Sequence, residues 1–364
     1  MALLRHSEPS RAGTTTAGDD AESLLHERSI AERVRQTGTM QPSLSELTAS
    51  ARVVSLPMSH RFRGIDVREA MLLRGPQGWT EFSPFLEYAD AEASAWLAAA
   101  IEFGWSEHPP LLRDRIPVNA TLPAVVPERV PVILDRFPGC RTVKVKVAEP
   151  GQELADDVAR VAAVRRYLGP EGRIRVDANG GWNVDEAERA AHALDGFDLE
   201  YMEQPCASVE ELADIKKRVK YMGMLVAADE SVRKAEDPLA VARANAANIL
   251  VIKAQPLGGN SAALRVIAEA GLPAVVSSAL ETSVGLSMGL HLAASMPELD
   301  YDCGLGTAAL LAADVVAEPL IPVDGGIVVR RVEPSPELLD RHAASGERTD
   351  WWLARLERCH ALLG

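Results

Sequence analysis

A repeating pattern of short apolar runs, each ending in a charged or polar residue, constrains this chain more than any other feature. From residue 116 to residue 304 such runs alternate with stretches of helical periodicity. The residues that end six consecutive runs are separated by 31, 26, 26, 24 and 24 positions, and they are Lys146, Asp177, Glu203, Asp229, Lys253 and Ser277. A strand–helix repeat of this length predicts an α/β fold with a closed barrel of eight parallel strands, in which 116–120 forms an earlier strand and 300–304 a later one.

A doubly wound open sheet is the alternative interpretation of the same alternation. Such sheets bind dinucleotides or phosphates through a glycine-rich turn after the first strand. The sequence has no GxGxxG motif after its first strand and no phosphate-binding loop. The barrel is therefore favoured.

The region before the barrel has a different composition. Residues 44–107 contain three strand-like segments, ARVVSLPM, REAMLLRG and GWTEFSPF, followed by the helix-like segment ADAEASAWLAAAIEFGW. They predict a small α+β domain. Residues 1–43 are polar and rich in Ser, Thr and Gly, which predicts a flexible extension with at most one short helix around 21–35, and Met40 is a candidate start of the functional protein.

Composition excludes several classes of function. The formal net charge of −14, without a basic run, argues against nucleic acid or an anionic membrane surface as the main partner. The four cysteines are widely separated, so neither a zinc site nor a disulfide framework is indicated. No apolar run is long enough to span a bilayer, and the N-terminus lacks the features of a secretory signal. We expect a cytoplasmic protein with a small-molecule partner.

The charged residues at the strand ends predict an active site. Each has an ordinary explanation when taken singly, as a helix cap, a turn residue or a solvated lysine. In a parallel barrel, however, the carboxyl ends of all strands meet at one mouth, where functional residues collect. We therefore expect Lys146, Asp177, Glu203, Asp229 and Lys253 to lie close together.

Three of these residues predict a metal site. Carboxylates without a neighbouring histidine or cysteine are typical ligands of a hard cation, which favours Mg²⁺ ahead of Mn²⁺ or Zn²⁺. Without a cation, the carboxylates of Asp177, Glu203 and Asp229 would repel one another and take up protons. Glu230 directly follows Asp229 and is a rival for the third ligand position.

The segment TVKVKV places Lys144 and Lys146 on the same face of one strand. On its own the segment suggests an edge strand with lysines on its wet face. In a barrel mouth, a neighbouring ammonium group and a divalent cation both lower the pKa of a lysine, which makes it a base near neutral pH. Such a site can remove the α-proton of a carboxylate substrate while the cation stabilises the enediolate. Lysine bases with Mg²⁺ are the pattern of enolase-superfamily sites.

The order of the motifs carries a family resemblance. With KVK, VDANGGW, EQP, ADES and IKAQPLGG, the chain from about residue 44 to its end resembles the muconate-lactonizing-type branch of the enolase superfamily. Within that branch, RFRGIDVREAMLL, GWTEFSPFLEY, EQPC, SSALETSVGL and GLGTAALLAADVV resemble the o-succinylbenzoate synthase family of actinobacteria.

The resemblance implies an architecture and a reaction. It implies a capping domain at 44–107 whose loop near 57–64 closes over the substrate, a barrel at 108–325, and a C-terminal segment, 326–364, that returns to the capping domain. The implied reaction is the dehydration of 2-succinyl-6-hydroxycyclohexa-2,4-diene-1-carboxylate to 2-succinylbenzoate, a step of menaquinone synthesis catalysed by a hydro-lyase.

The resemblance also implies residue roles. Asp177, Glu203 and Asp229 would hold Mg²⁺, Lys146 would be the acid and base, and Lys253 would be a stabilising cation on the opposite face. Further contacts to the substrate, direct or through a neighbour, are implied for Lys144, Arg175, Asn179 and Ser278. The turn that begins at Gly258 and opens a helix could receive a substrate carboxylate on its N–H groups.

Three other functions compete with this one. The same lysines on opposite faces would serve an N-succinylamino acid racemase or a dipeptide epimerase, which need two bases. A Schiff-base aldolase would use Lys146 or Lys253 as a nucleophile, but the three carboxylates argue against it. A barrel kept only as a binding or structural protein would be expected to have lost one or more of the five residues, and none is missing.

Overall fold

A computed structural model describes residues 41–62, 64–233 and 237–364 of the 364-residue chain. The predictions for residues 1–40, including the candidate start at Met40, concern residues outside this part. The described residues form a small antiparallel sheet with flanking helices and a larger, curled parallel sheet. The predicted α/β barrel architecture is confirmed.

The first sheet is built from the segments predicted to form the small α+β domain. Its elements are α1 (Leu44–Ser50), β1 (Arg52–Phe62), β2 (Ile65–Gly75), β3 (Gly78–Phe82) and α2 (Asp90–Trp105). The strands pair antiparallel in the order β1–β2–β3. The segment 57–64 was predicted as a loop, but residues 57–62 belong to β1, whose register with β2 is irregular between Pro57 and Phe62.

The strands of the second part are short and combine buried apolar residues with charged ones. They are β4 (Arg115–Pro117), β5 (Ala120–Leu122), β6 (Thr142–Lys146), β7 (Arg173–Asp177), β8 (Leu199–Glu203), β9 (Val226–Ala228), β10 (Ile249–Ile252) and β11 (Ala274–Val276). Strands β5 to β11 lie side by side in sequence order in one parallel sheet. Because chain order equals spatial order, the sheet curls in one direction, as a barrel requires.

Helices follow most of these strands. They are α3 (Val130–Leu134), α4 (Leu154–Leu168), α5 (Val184–Leu194), α6 (Val209–Val219), α7 (Glu230–Arg233), α8 (Ala240–Arg243), α9 (Asn260–Ala270) and α10 (Ser283–Ser295). Capping boxes begin α5, with Asn183 and Glu186, and α6, with Ser208 and Glu211. After β9 the regular helix is replaced by the single turns α7 and α8.

The barrel is closed by a segment with very little strand character. Cys303 forms a parallel bridge with Val118, and Gly304 forms one with Ser277. The backbone N–H of Gly304 donates to the Val276 carbonyl at 2.8 Å. A Cβ atom on Gly304 would lie 2.5 Å from Ser277 Oγ, so this approach requires glycine. The predicted eighth strand, 300–304, is therefore reduced to two bridging residues.

The first predicted barrel strand also differs from the structure. The segment 116–120 is divided, since Ile116 lies in β4 and Ala120 begins β5. Strand β4 pairs antiparallel with β12 (Gly326–Val328) outside the parallel sheet. The barrel therefore begins a few residues later than expected.

The C-terminal segment packs against the first sheet and α2. After β12 it forms α11 (Pro336–Arg341) and α12 (Gly346–Leu363). On α12, the Trp352 indole donates to the Glu69 carboxylate at 2.8 Å, and the Arg358 guanidinium donates to Asp90 at 2.6 Å. Among the described residues, no helix combines the length and the apolar character needed to cross a membrane.

We predict that Trp352→Ala lowers the free energy of unfolding by about 3–5 kcal/mol, because it opens a cavity in the core and removes one donor to Glu69, which keeps its contact with Arg348. Trp352 is fully buried, and its ring packs edge-on against Phe82 with centroids 5.8 Å apart. Urea denaturation followed by circular dichroism measures the change.

The control for this prediction is Leu112→Ala, since Leu112 is 59% exposed. We expect the control to change the free energy of unfolding by no more than about 0.5 kcal/mol. Equal effects of the two substitutions would show that α12 contributes little to the stability of the fold.

Candidate active site

The carboxyl ends of neighbouring strands bring the predicted residues together. Lys146 is the register partner of Asp177 across β6 and β7, and Asp177 is the partner of Glu203 across β7 and β8. Asp229 and Lys253 immediately follow β9 and β10. The five residues therefore lie at one end of the barrel, as predicted.

The two lysines of β6 contact different carboxylates. The ammonium group of Lys144 lies between two of them, 2.9 Å from Glu203 Oε1 and 3.1 Å from Asp177 Oδ2. Lys146 Nζ lies 2.5 Å from Asp177 Oδ2 and donates to Asn179 Oδ1 at 2.7 Å. The face of β6 that carries both lysines therefore points into the carboxylate cluster, not toward solvent.

On the other side of the mouth, Lys253 is paired with Asp229. Lys253 Nζ lies 2.5 Å from Asp229 Oδ2, and Arg233 Nε donates to the other oxygen, Oδ1, at 3.0 Å. Three strands, β7 to β9, separate the strand of Lys146 from the strand of Lys253. In an eight-unit barrel this places the two amines on opposite sides of the mouth.

Burial and neighbouring charges give the two β6 lysines opposite pKa shifts. Burial lowers the pKa of Lys144, but Asp177 and Glu203 outweigh it and hold this pKa well above its ordinary value. Burial also lowers the pKa of Lys146; Asp177 opposes this effect and the charge of Lys144 adds to it, so that the pKa remains below its ordinary value. Of the pair, Lys146 is the better base.

The three carboxyl groups also differ. Burial raises the pKa of Asp177, but Lys144 and Lys146 reverse the shift and hold it well below its ordinary value. For Asp229, Lys253 and Arg233 likewise outweigh burial and lower the pKa.

Glu203 is the exception among the carboxyl groups. Burial and the charge of Asp177 raise the pKa of Glu203 to about 7, although Lys144 opposes them. Its carboxyl group is therefore the least well compensated of the three.

The donor set fits a divalent cation. Among residues 41–62, 64–233 and 237–364, no group of three or more His, Cys, Asp and Glu side chains is arranged to hold a metal. Lysine ammonium groups lie against all three carboxylates. However, Glu203 Oε2 is buried without a hydrogen-bond partner. Hard oxygen donors from three adjacent strand ends, one of them uncompensated, suit Mg²⁺ or Mn²⁺.

A cavity lies directly beside these groups. Lys144, Lys146 and Lys253 line it together with the rings of Phe62 and Phe85, which come from the first sheet and the loop after it. The ring of Phe62 lies 5.5 Å from Lys146 Nζ. Side chains of the first sheet and of the loop after it therefore lie beside the amines.

Comparison with known proteins agrees with this geometry. The Enolase C-terminal domain-like family matches residues 135–334, and the Enolase N-terminal domain-like family matches residues 53–110. The o-succinylbenzoate synthase of Mycolicibacterium smegmatis is 55% identical over 88% of this chain and 98% of its own length. That of Mycobacterium ulcerans is 53% identical over 88% of this chain and 96% of its own length. The chain belongs to the o-succinylbenzoate synthase family.

Solved structures support the same superfamily fold. The muconate lactonizing enzyme of Pseudomonas putida superposes with a TM-score of 0.67 at 20% identity, over 81% of this chain and 98% of that one. The L-Ala-D/L-Glu epimerase of Bacillus subtilis gives 0.66 at 23% identity, over 78% and 96%. As a member of the o-succinylbenzoate synthase family, the chain is an enzyme of the enolase superfamily.

Three of the predicted contact residues of this family member line the cavity: Lys144, described above, Asn179 and Ser278. Asn179, in a left-handed conformation with φ of 48°, accepts from Lys146 and donates to Glu230 Oε1 at 3.2 Å. The Ser278 hydroxyl contacts the Gly304 carbonyl at 2.7 Å and the Thr307 hydroxyl at 2.7 Å. Both are placed to face a ligand.

Arg175 is placed differently from the expectation. It is fully buried inside the barrel, where it pairs with Glu200 and donates to the Asp302 carbonyl at 2.6 Å and to Asn119 Oδ1 at 3.1 Å. Its guanidinium lies 4.9 Å from the Tyr201 ring centroid. Arg175 does not line the cavity, because Glu200, Asn119 and the Asp302 carbonyl hold its guanidinium away from it.

The turn at Gly258 does not face the cavity either. The N-terminus of α9 receives a protein carboxylate, that of Glu102 of α2, which accepts from the Ser261 N–H at 3.0 Å. A Cβ atom on Gly259 would lie 1.5 Å from Glu102 Oε2. The turn therefore joins the two parts of the chain, and Gly258, predicted as a substrate contact, is not one of the residues that line the cavity.

The sequence reasoning missed several cavity residues. Phe62 and Phe85 come from the first sheet and the loop after it, Thr121 from the middle of β5, Thr307 from the closing segment, and Arg233 from α7. One of these had a usable signal, since Arg233 follows Asp229 at a spacing of one helical turn.

We predict that Glu203→Gln changes the pH dependence of stability in protein kept in excess chelator. A folded-state pKa of about 7 lies above the ordinary value of 4.5, so the stability linked to this proton is present at low pH and is lost as pH rises through 7. Glutamine does not titrate. The variant should therefore gain stability relative to the parent between about pH 5 and about pH 8.

Thermal unfolding at several pH values measures this difference. The control is Glu298→Gln, because Glu298 is exposed at the surface. A difference between Glu203→Gln and the parent that stays constant with pH would contradict the prediction.

Proposed function

We propose that the chain converts 2-succinyl-6-hydroxycyclohexa-2,4-diene-1-carboxylate to 2-succinylbenzoate and water. The observation that carries the proposal is the placement of two lysines of unlike environment on opposite sides of one cavity, beside three buried carboxylates. The family relationship supplies the substrate, as the relatives at 53–55% identity are named o-succinylbenzoate synthase.

Asp177, Glu203 and Asp229 would hold the divalent cation, Mg²⁺ or Mn²⁺. When bound, the cation would neutralise the negative charge of the substrate carboxylate and of the developing carbanion. Asp229 is favoured over Glu230 because Asp229 is fully buried between Lys253 and Arg233, whereas Glu230 extends from α7 toward the cavity.

Lys146 is proposed to move the proton. Its Nζ takes the α-proton from the ring carbon that bears the carboxylate, and the electron pair of that C–H bond moves into the ring. The C–O bond to the hydroxyl group then breaks, and Lys146 Nζ returns the proton to the departing oxygen, which leaves as water. The ring becomes aromatic and water is the only other product, so the reaction needs no oxidant, reductant or second substrate.

The neighbours of Lys146 orient its amine and favour proton transfer by it. Asn179 Oδ1 accepts from Nζ and orients it, while Lys144 is fixed between two carboxylates and keeps its proton. The ring of Phe62 shields the amine from bulk water. Lys146 is therefore the group on β6 that can alternate between the neutral and the charged form.

Lys253 is proposed to act as a fixed cation. Asp229 holds its Nζ at 2.5 Å, on the side of the mouth opposite Lys146. A positive charge there stabilises negative charge that develops on the ring and carboxylate during proton removal. Dehydration needs one base, so Lys253 has no proton to move in this reaction.

We also propose the domain boundaries, the partner and the cellular location that the sequence predicts. A capping domain at 44–107 with the C-terminal segment 326–364, and a barrel at 108–325, are consistent with the cover that Phe62 and Phe85 provide. A small carboxylate as the partner and a cytoplasmic location in menaquinone synthesis follow from the proposed reaction.

Metal removal provides the first test of the proposal. In excess chelator, we expect activity to vanish and to return with Mg²⁺ or Mn²⁺, because three carboxylates and no soft ligand surround the site. Circular dichroism should show that the fold survives, since the barrel core is apolar and independent of the ion. Full turnover after exhaustive metal removal would refute the assignment of the carboxylates.

Substitution of the lysines provides the second test. Lys146→Ala should lower turnover by about 10²- to 10⁴-fold or more with little change in product binding, because one group serves both proton transfers. Lys253→Arg should reduce turnover less, because arginine keeps the positive charge although it cannot act as a base. The appearance of the aromatic product is followed by its ultraviolet absorbance.

The racemase alternative predicts a different result for the same variants. A two-base mechanism needs a deprotonatable group on each face, so Lys253→Arg would stop it for one enantiomer. If Lys253→Arg were as inactive as Lys146→Ala, and the parent exchanged the α-proton of both N-succinylamino acid enantiomers faster than it dehydrated the diene, the racemase would replace the synthase.

A further inference from the structure

Arg233 is a buried guanidinium at the edge of the cavity that contacts three different groups. It is 7% exposed. Its Nε donates to Asp229 Oδ1 at 3.0 Å, its Nη2 to Glu230 Oε1 at 2.6 Å, and its Nη1 to the hydroxyl oxygen of Tyr88 at 3.0 Å. Each of the three guanidinium nitrogens therefore has an acceptor in a separate direction.

One contact links Arg233 to Lys253 through Asp229. Asp229 uses Oδ1 for Arg233 and Oδ2 for Lys253 Nζ. The carboxylate plane is held from one side by a rigid, planar donor, and this fixes the direction in which the other oxygen points. The position of Lys253 Nζ therefore depends on Arg233.

The second contact, to Glu230, links Arg233 to Lys146 through two further hydrogen bonds, both made by Asn179. Glu230 Oε1 accepts from Arg233 and also from Asn179 Nδ2, at 3.2 Å. The same amide presents its Oδ1 to Lys146 Nζ at 2.7 Å. Because Asn179 donates with one end and accepts with the other, Glu230 determines which way the amide faces. The acceptor for Lys146 is thus also set by Arg233.

The third contact comes from the capping region. Tyr88 lies in the loop between β3 and α2, and its ring packs edge-on against Phe85 with centroids 5.6 Å apart. Its backbone carbonyl accepts from Arg355 of α12 at 2.5 Å. The phenol hydroxyl that reaches Arg233 is therefore anchored to the core formed by the first sheet and the C-terminal helix.

We propose that Arg233 is a positioning residue for both lysines, and that Tyr88 holds Arg233 in place from the capping domain. The proposal rests on the proposed roles of Lys146 and Lys253. One rigid group joins the two sides of the barrel mouth and is itself fixed by the cover of the site. The amines consequently reach their reactive positions only when the capping region is seated on the barrel.

The position requires the shape of arginine as well as its charge. A guanidinium presents its N–H donors in one plane and in fixed directions, whereas an ammonium group is a compact point charge. Lysine at 233 could neutralise Asp229 or Glu230 but could not reach both carboxylates and the Tyr88 hydroxyl with fixed geometry. The conservative change Arg233→Lys therefore separates positioning from charge.

The first experiment removes one hydroxyl group. Tyr88→Phe keeps the ring in the core and deletes the acceptor of Arg233 Nη1. We expect kcat to fall about 3- to 10-fold, which is the usual effect of one hydrogen bond, with KM and the melting temperature nearly unchanged. The matched control is Tyr167→Phe, whose hydroxyl donates to Asp135 at 2.7 Å on the outside of the barrel.

The outcome of this comparison decides the role of Tyr88. A loss of kcat in Tyr88→Phe but not in Tyr167→Phe supports the proposal. Equal kcat values for the two variants overturn it. A lower melting temperature with unchanged kcat also overturns it, because the contact would then be structural only.

The second experiment tests Arg233 and its coupling to Tyr88. We expect Arg233→Lys to lower kcat by at least about 10-fold, and Tyr88→Phe to have no further effect in that background, because the partner of the hydroxyl is already lost. Parent-like kcat in Arg233→Lys, or fully additive losses in the double variant, would overturn the proposal.

A readout without substrate distinguishes this proposal from the proposed function. Mg²⁺ is titrated calorimetrically into metal-stripped parent and Arg233→Lys, and we expect about 10- to 100-fold weaker binding in the variant because Asp229 loses its orienting partner. If the parent binds Mg²⁺ but does not dehydrate the diene, the proposed function fails while the effect of Arg233 on Asp229 is still measured. Equal Mg²⁺ affinities would count against a positioning role of Arg233.

Discussion

The rest of the site depends on the Coulombic balance between carboxylates and amines in the barrel mouth. Asp177, Glu203 and Asp229 are all buried, and each lies against a lysine. The balance is uneven, because Lys144 bridges two carboxylates while Glu203 retains a buried oxygen without a partner. This unevenness both suits a cation and makes two lysines on one strand chemically different.

The parallel barrel reduces the net desolvation cost of these buried charges, because it places opposite charges next to one another at one end of the sheet. Most strands contribute apolar residues to the core and their last residue, or the one after it, to the mouth, as β7 does with Asp177 and β8 with Glu203, whereas β6 contributes both Lys144 and Lys146. The desolvation cost of each charge is then offset by a neighbour from the adjacent strand. The capping sheet completes the enclosure from above with Phe62 and Phe85.

The sequence alone predicted the residues that end successive strands. It did not predict the contacts between segments that are far apart in the chain. The strand period located Asp177, Glu203 and Lys253 because each ends its own apolar run. The Gly258 turn was assigned to substrate because nothing local shows that Glu102 of α2 occupies the helix end. Arg175 was expected to contact the substrate directly or through a neighbour, but a single sequence does not show that Asn119 and the Asp302 carbonyl, from distant segments, hold its guanidinium.

The close approach of Gly304 to Ser277, which closes the barrel, limits the range of ligands that the cavity accepts. Gly304 meets Ser277 without an intervening side chain, and the adjoining Ser278 and Thr307 face the cavity. The wall of the cavity on this side is therefore set by the close approach of Gly304 to the Ser277 side chain, whose hydroxyl oxygen lies 2.5 Å from the place of a Cβ atom at 304. A residue larger than glycine at 304 would have to displace the Ser277 side chain, so ligand breadth and barrel closure change together at this one position.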